Sequence, residues 1–224
     1  MMNDCPTIPW WHERLAAAYG PQTAWWPAES PFEVCVGAIL VQHTTWQQVA
    51  RAIANLKAAG ALDPTAAFAL SAETMENLVR PSGTFRQKAR RLAGFCRQIM
   101  TRWDGDLAAM LGQDGAMLRA DLLGIWGIGE ETADAILLFA AHQPAFIVDT
   151  YTARIVRRLG CVADDNTRHA VRSLFTDALP HDAAIMREMH ALLVTHAKAH
   201  CRATPLCSGC PLTDRCAYWK EHAA

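Results

Sequence analysis

Four cysteines fall within one short stretch near the C-terminus, Cys201, Cys207, Cys210 and Cys216, with the spacing C-x5-C-x2-C-x5-C. A loop this short carrying four soft ligands suits one compact inorganic centre, either a tetrahedral zinc or an iron–sulfur cluster, and ligand type alone does not separate the two. Spacing favours the cluster. Structural zinc sites usually pair their cysteines as two close couples, whereas here one couple, Cys207 and Cys210, lies between two singles. Pro205, Gly209 and Pro211 punctuate the segment and keep it out of regular helix. The other four of the eight cysteines, Cys5, Cys35, Cys96 and Cys161, are scattered, and Cys35 lies in the apolar run 34–41. Most of them read as small buried hydrophobes, with disulfides disfavoured by a reducing compartment.

A chain of 224 residues is long enough to bury a sizeable core, as one large domain or two small lobes. Alanine is abundant and β-branched runs are short, and 46–59, 89–100 and 132–141 carry apolar residues at helical spacing. The expected class is all-α. No apolar run reaches the length of a membrane span, and the N-terminus lacks the basic-then-apolar pattern of a signal peptide, so a cytoplasmic protein is expected. With a net charge of −1, no global basic field announces a nucleic-acid partner. Local basic clusters do exist, at Arg86-Lys88-Arg90-Arg91 and Arg154-Arg157-Arg158.

One turn is informative. The segment 122–141 reads LLGIWGIGEETADAILLFAA, so one helix ends at Gly127-Ile128-Gly129 and another opens at about Glu130. Glycines there let backbone N–H groups point outward at the positive end of a helix dipole, where a phosphate can bind, although the same pattern also makes a plain tight corner. Further along, Phe146-Ile147-Val148-Asp149 sets one acid after an apolar run and before an arginine-rich helix, 152–159. That aspartate is placed to cap the helix, to stabilise a developing cation, or to activate water.

Taken in order, G-I-G-x-x-T-A (127–133), V-D-T-Y (148–151) and the four-cysteine loop resemble the helix-hairpin-helix DNA glycosylases of the endonuclease III type, over residues 32–216 or so. The resemblance implies two helical lobes: 32–142 with the hairpin at about 118–140, and 1–31 joined by 143–224, which ends in a 4Fe-4S loop at 201–216. It also implies a monomer acting on double-stranded DNA that contains a damaged base, in a cleft between the lobes. On this reading Asp149 is catalytic, Gly127, Ile128, Gly129 and Thr132 grip DNA, Gln42 fills the gap left by a flipped base, and Arg154 contacts the backbone. Bifunctional members carry a lysine two residues after the second hairpin glycine. Here that position is Glu131, and a carboxylate cannot form a Schiff base, so hydrolysis by water is expected. The first spacer of the cysteine loop is one residue shorter than the family's usual six.

Trp25-Trp26-Pro27, Trp46, Arg80-Pro81-Ser82-Gly83, Glu131 and Lys198 resemble the 3-methyladenine glycosylases of this family more closely. There the aromatic pair, the proline, the later aromatic, the glutamate and the lysine line the base pocket. An electron-poor alkylated purine stacks well on indole faces and gains from a nearby carboxylate. The alternatives are a glycosylase for oxidised pyrimidines or for mismatched thymine or uracil, and a non-catalytic damage-binding or redox-sensing protein.

Overall fold

The computed structural model describes residues 5–22, 25–162 and 168–222. In chain order the α-helices are α1 (Ile8–Tyr19), α2 (Pro31–Leu40), α3 (Trp46–Ala58), α4 (Pro64–Phe68), α5 (Ala72–Val79), α6 (Phe85–Trp103), α7 (Leu107–Leu111), α8 (Gly115–Leu123), α9 (Glu130–Ala135), α10 (Thr150–Arg158), α11 (Arg168–Thr176), α12 (Ala183–Ala199) and α13 (Ala217–His222). No strand occurs among the described residues, so the class is all-α as expected. None of their helices is long and apolar enough to cross a membrane.

The chain divides into two compact units, Trp26–Gln143 and a second formed by residues 1–25 with Pro144–Ala224. In the first, α2 is buried on every side from Phe32 to Leu40, as its unbroken apolar run requires. Its start is fixed by Pro31 at the first position and by Ser30, whose hydroxyl accepts from the Glu33 N–H at 3.2 Å. After Ala135 the chain continues as a π-helical turn, Ile136–Ala140, whose five residues are all buried. The 3.6-residue pattern of 132–141 did not signal this extra residue per turn.

The second unit packs Trp11 edge-on against Phe175 at 5.6 Å, and Phe175 stacks on Phe146 at 4.0 Å. Its two chain segments are also joined covalently. Cys5 and Cys161 form a disulfide, with Cα atoms 4.7 Å apart across a sequence separation of 156. This corrects the expectation that the scattered cysteines stay reduced, because the fold brings Cys5, three residues ahead of α1, against the turn that follows α10. Cys35 and Cys96 are buried free thiols as expected, and burial pushes Cys96 up to about 12.

Lys88 is fully buried on α6, where its ammonium donates to the Ser82 carbonyl and so ties down the Arg80–Ser82 turn. Burial first, and then the neighbouring Arg91 charge, lower its pKa to about 8. The unfolded chain, with an ordinary lysine near 10.5, therefore binds more protons between those values, and stability rises with pH across that window. Compared with Lys88→Met, the natural protein is expected to gain in urea midpoint between pH 7 and about 10. Parallel curves for the two proteins would contradict the assignment.

Candidate functional site

Within the first unit, α8 and α9 form the hairpin. Ile125 and Ile128 are buried and seat the turn, while Trp126, Gly127 and Gly129 are exposed. Gly127 adopts φ +82°, and a Cβ there would lie 2.4 Å from the Arg91 Nε, so only glycine fits. Gly129 caps α9 without a side-chain acceptor, which leaves the first-turn N–H groups to be satisfied from outside the helix. The Arg119 guanidinium locks the two helices together, 2.8 Å from Asp134 and 3.2 Å from Glu130.

Gln42, 85 residues before Gly127, joins the same place. Its amide donates to the Thr132 hydroxyl at 2.8 Å and to the Gly127 carbonyl at 3.4 Å, and its own carbonyl accepts from Arg91. The predicted residues Gln42, Gly127, Ile128, Gly129 and Thr132 are thus one constellation. Arg91 was legible only as part of a basic run.

The aromatic residues form a second group in this unit. Trp26 packs against Trp46 at 5.3 Å and against Phe139 at 4.8 Å. Gly37 makes that approach possible: a Cβ on it would stand 3.2 Å from Trp46 and 3.3 Å from Trp26. Pro27 is exposed beside them, and Glu131 is exposed in the first turn of α9. Trp25 and Lys198 belong to the other unit. There Trp25 meets His190 edge-on at 5.5 Å, and Lys198 is exposed in the last turn of α12.

Asp149 is the N-cap of α10, with Oδ1 accepting the Thr152 N–H at 2.7 Å. The buried run Phe146, Ile147 and Val148 leads into it. His190 on α12 is buried, feels the Asp149 charge, and is hydrogen-bonded to the Ile147 backbone. Burial outweighs the pull of Asp149 and holds the imidazole below its ordinary pKa, as the neutral ring. A single histidine on an apolar helix carries no sequence signal for such a neighbour.

The four clustered cysteines are free thiols, all partly buried, and they line one recess with His196, His200 and Arg158. Among the described residues no three of His, Cys, Asp and Glu converge as a single-ion site. Two nitrogens face the sulfurs: Arg158 Nη1 donates to Cys201 Sγ at 3.4 Å, and His196 Nε2 lies 3.9 Å from Cys210 Sγ. Burial holds His196 down to about 4, so the ring is neutral, and its Nδ1 shares a hydrogen bond of 2.9 Å with the Tyr19 hydroxyl. Donors aimed at sulfur are what an anionic thiolate-held cluster requires, so the residues fit such a group.

The loop itself has little apolar anchoring. Leu212 is the one fully buried residue between 201 and 216. Arginines of α10 hold the loop instead: Arg154 Nε donates to the Cys201 carbonyl at 2.8 Å, and Arg158 donates to the carbonyls of Arg202 and Ala203 at 2.5 and 2.8 Å. Arg154, expected from sequence to contact a DNA backbone, is found anchoring the cysteine loop.

Comparison with known proteins gives this arrangement a family. The HhH-GPD superfamily of base excision DNA repair proteins matches residues 36–181. A Methanocaldococcus jannaschii protein provisionally named a DNA repair glycosylase is 41% identical over 199 residues, covering 88% of this chain and 90% of that protein. In fold, the chain is similar to an endonuclease III trapped as a covalent intermediate with DNA, with a TM-score of 0.84 and 24% identity over 97% of each chain. It is also similar to the 3-methyladenine DNA glycosylase MagIII of H. pylori bound to 1,N6-ethenoadenine, with a TM-score of 0.74 and 23% identity over 86% of this chain and 98% of that one. With the family pattern spanning residues 36–181, more than half of the chain, the chain belongs to the HhH-GPD superfamily of base excision DNA repair proteins.

Proposed function

We propose that the protein is a monofunctional DNA glycosylase that hydrolyses the N-glycosidic bond of a flipped, damaged base in double-stranded DNA, the base being an alkylated purine of the 3-methyladenine type. The observation that carries this reading is the pair of acids: Asp149, fixed by its cap, and Glu131, standing where a bifunctional enzyme has its nucleophilic lysine. Asp149 is the catalytic carboxylate. Its charge stabilises the oxocarbenium-like sugar as the bond breaks, and its second oxygen, outside the cap bond, orients the attacking water. An alkylated purine is already a good leaving group, so no strong acid is needed to expel it.

The indoles of Trp26 and Trp46, with Pro27 and Glu131 in the same unit, line the base pocket. The exposed turn Gly127–Gly129 and Thr132 take a backbone phosphate, and Gln42, held to that turn, faces the gap in the duplex. The close Trp26–Trp46 contact supports an aromatic sandwich that opens by rotation of an indole to admit the base. Cys201, Cys207, Cys210 and Cys216 hold a 4Fe-4S cluster, which supplies a structural cross-link to a loop short of apolar contacts. Arg154 and Arg158 set that loop against α10 and leave its exposed residues Arg202 and Thr204 for DNA.

Strand cleavage tests the monofunctional assignment. A lesion duplex treated with the natural protein should break only after alkali, and borohydride should trap no adduct. Glu131→Lys should produce a trapped adduct, because its amine would stand where C1′ is attacked. Alkali-independent nicking by the natural protein would show that another amine serves as nucleophile.

A further inference from the structure

Beside the hairpin, and apart from every site residue assigned above, the first unit carries an open groove between α4, α5 and α6. Its floor is made by Ala93 and Gly94 on α6, where small residues replace the long side chains found on either side. Along the same solvent face of α6 stand Arg86, Arg90 and Arg97, spaced by four and seven residues and all exposed. Glu76, 3.7 Å from Arg86, is the one carboxylate in the lining, so the groove is strongly positive on a chain whose net charge is −1.

Two aromatic rings open onto it. Phe68 is 45% exposed and Trp126 is 50% exposed, and both are among the largest exposed apolar side chains of the protein. The Arg90 guanidinium lies 4.0 Å above the Trp126 ring, which makes a cationic stacking platform.

We infer that this groove binds an unpaired DNA strand: phosphates on Arg86, Arg90 and Arg97, and bases stacked on Trp126 and Phe68. Arginines alternating with open aromatic faces are the chemistry of single-strand binding, where every base offers a π-face and every nucleotide a charge. Position supports the choice of partner. Trp126 lines the groove and directly precedes Gly127, so the groove adjoins the hairpin turn. This rests on the DNA role proposed for the hairpin. The protein would then hold a frayed or single-stranded tail next to the duplex it repairs. An acidic peptide is the competing occupant, but it would use the charges and leave the two rings idle.

The test measures fluorescence anisotropy of the full protein with three probes: an oligothymidylate of about twelve nucleotides, a blunt lesion duplex, and the same duplex with a single-stranded tail of that length. The tail should tighten binding, and Phe68→Ala combined with Arg97→Ala should remove the gain and weaken oligothymidylate binding by about tenfold. Blunt-duplex affinity and base release should be unchanged, which also shows that the variant is folded. Arg97→Glu should act in the same direction and steepen with falling salt. The inference is overturned if the tail adds nothing, if the variants bind the tail like the natural protein, or if polyglutamate displaces the oligothymidylate as well as DNA does. Failure of the natural protein to hold the blunt duplex would instead reject the hairpin reading, with the oligothymidylate result still deciding the groove.

Discussion

Asp149→Asn is expected to reduce base release by about a thousandfold while leaving DNA binding and folding nearly intact. The substitution separates two roles that one carboxylate performs. As the N-cap of α10, Asp149 accepts the Thr152 N–H, and asparagine offers an equivalent amide oxygen at the same position. As the catalytic group, it must present negative charge to a sugar that becomes cationic, which the neutral amide cannot do. Asp149→Ala is the complementary control. It should lose activity too, and should also lose about 1 kcal/mol of stability with the cap. Near-natural turnover by the asparagine variant would reduce Asp149 to a cap, the role that Asp63, Asp106, Asp114 and Asp182 have at the starts of α4, α7, α8 and α12.

Cys207→Ser should have the second large effect, on the C-terminal loop. Anaerobically purified natural protein is expected to contain iron and to show the broad visible absorption of a 4Fe-4S centre, and the variant should lose both. Because residues 201–216 bury little beyond Leu212, the hydrogen bonds from Arg154 and Arg158 are left to hold the loop when the cluster is gone. Limited proteolysis should therefore cut the variant between 201 and 216 at protease levels that spare the natural protein. Iron-free natural protein with a protected loop would refute the cluster, and stoichiometric zinc in its place would identify the other centre that four thiolates permit.

Much of this architecture was legible before any coordinates. Helical periodicity marked α3 and the middle of α6, and Gly127-Ile128-Gly129 marked the hairpin turn, because local patterns of apolar residues and glycines report local structure. Asp149 was legible both as a cap and as a candidate catalyst, and the cap is present. What stayed hidden depends on contacts between distant parts of the chain. Nothing near Cys5 or Cys161 announces that they pair. Lys88 looked like one more charge in a basic run, yet it is the member turned inward to the Ser82 carbonyl. Arg154 and Arg158 read only as members of a basic cluster, Arg154 with an expected DNA contact, and their carbonyl partners lie more than forty residues away. His190 beside Asp149, and Gly37 beneath the two indoles, are likewise positions whose meaning comes from tertiary packing.

The measurement closest to the central claim is the identity of the base released from methylated duplex DNA, compared with duplexes carrying thymine glycol, uracil or 8-oxoguanine. Free 3-methyladenine, with strand breaks that appear only after alkali, is the predicted result. Release of an oxidised pyrimidine with breaks that form without alkali would contradict both the alkylpurine pocket and the hydrolytic mechanism.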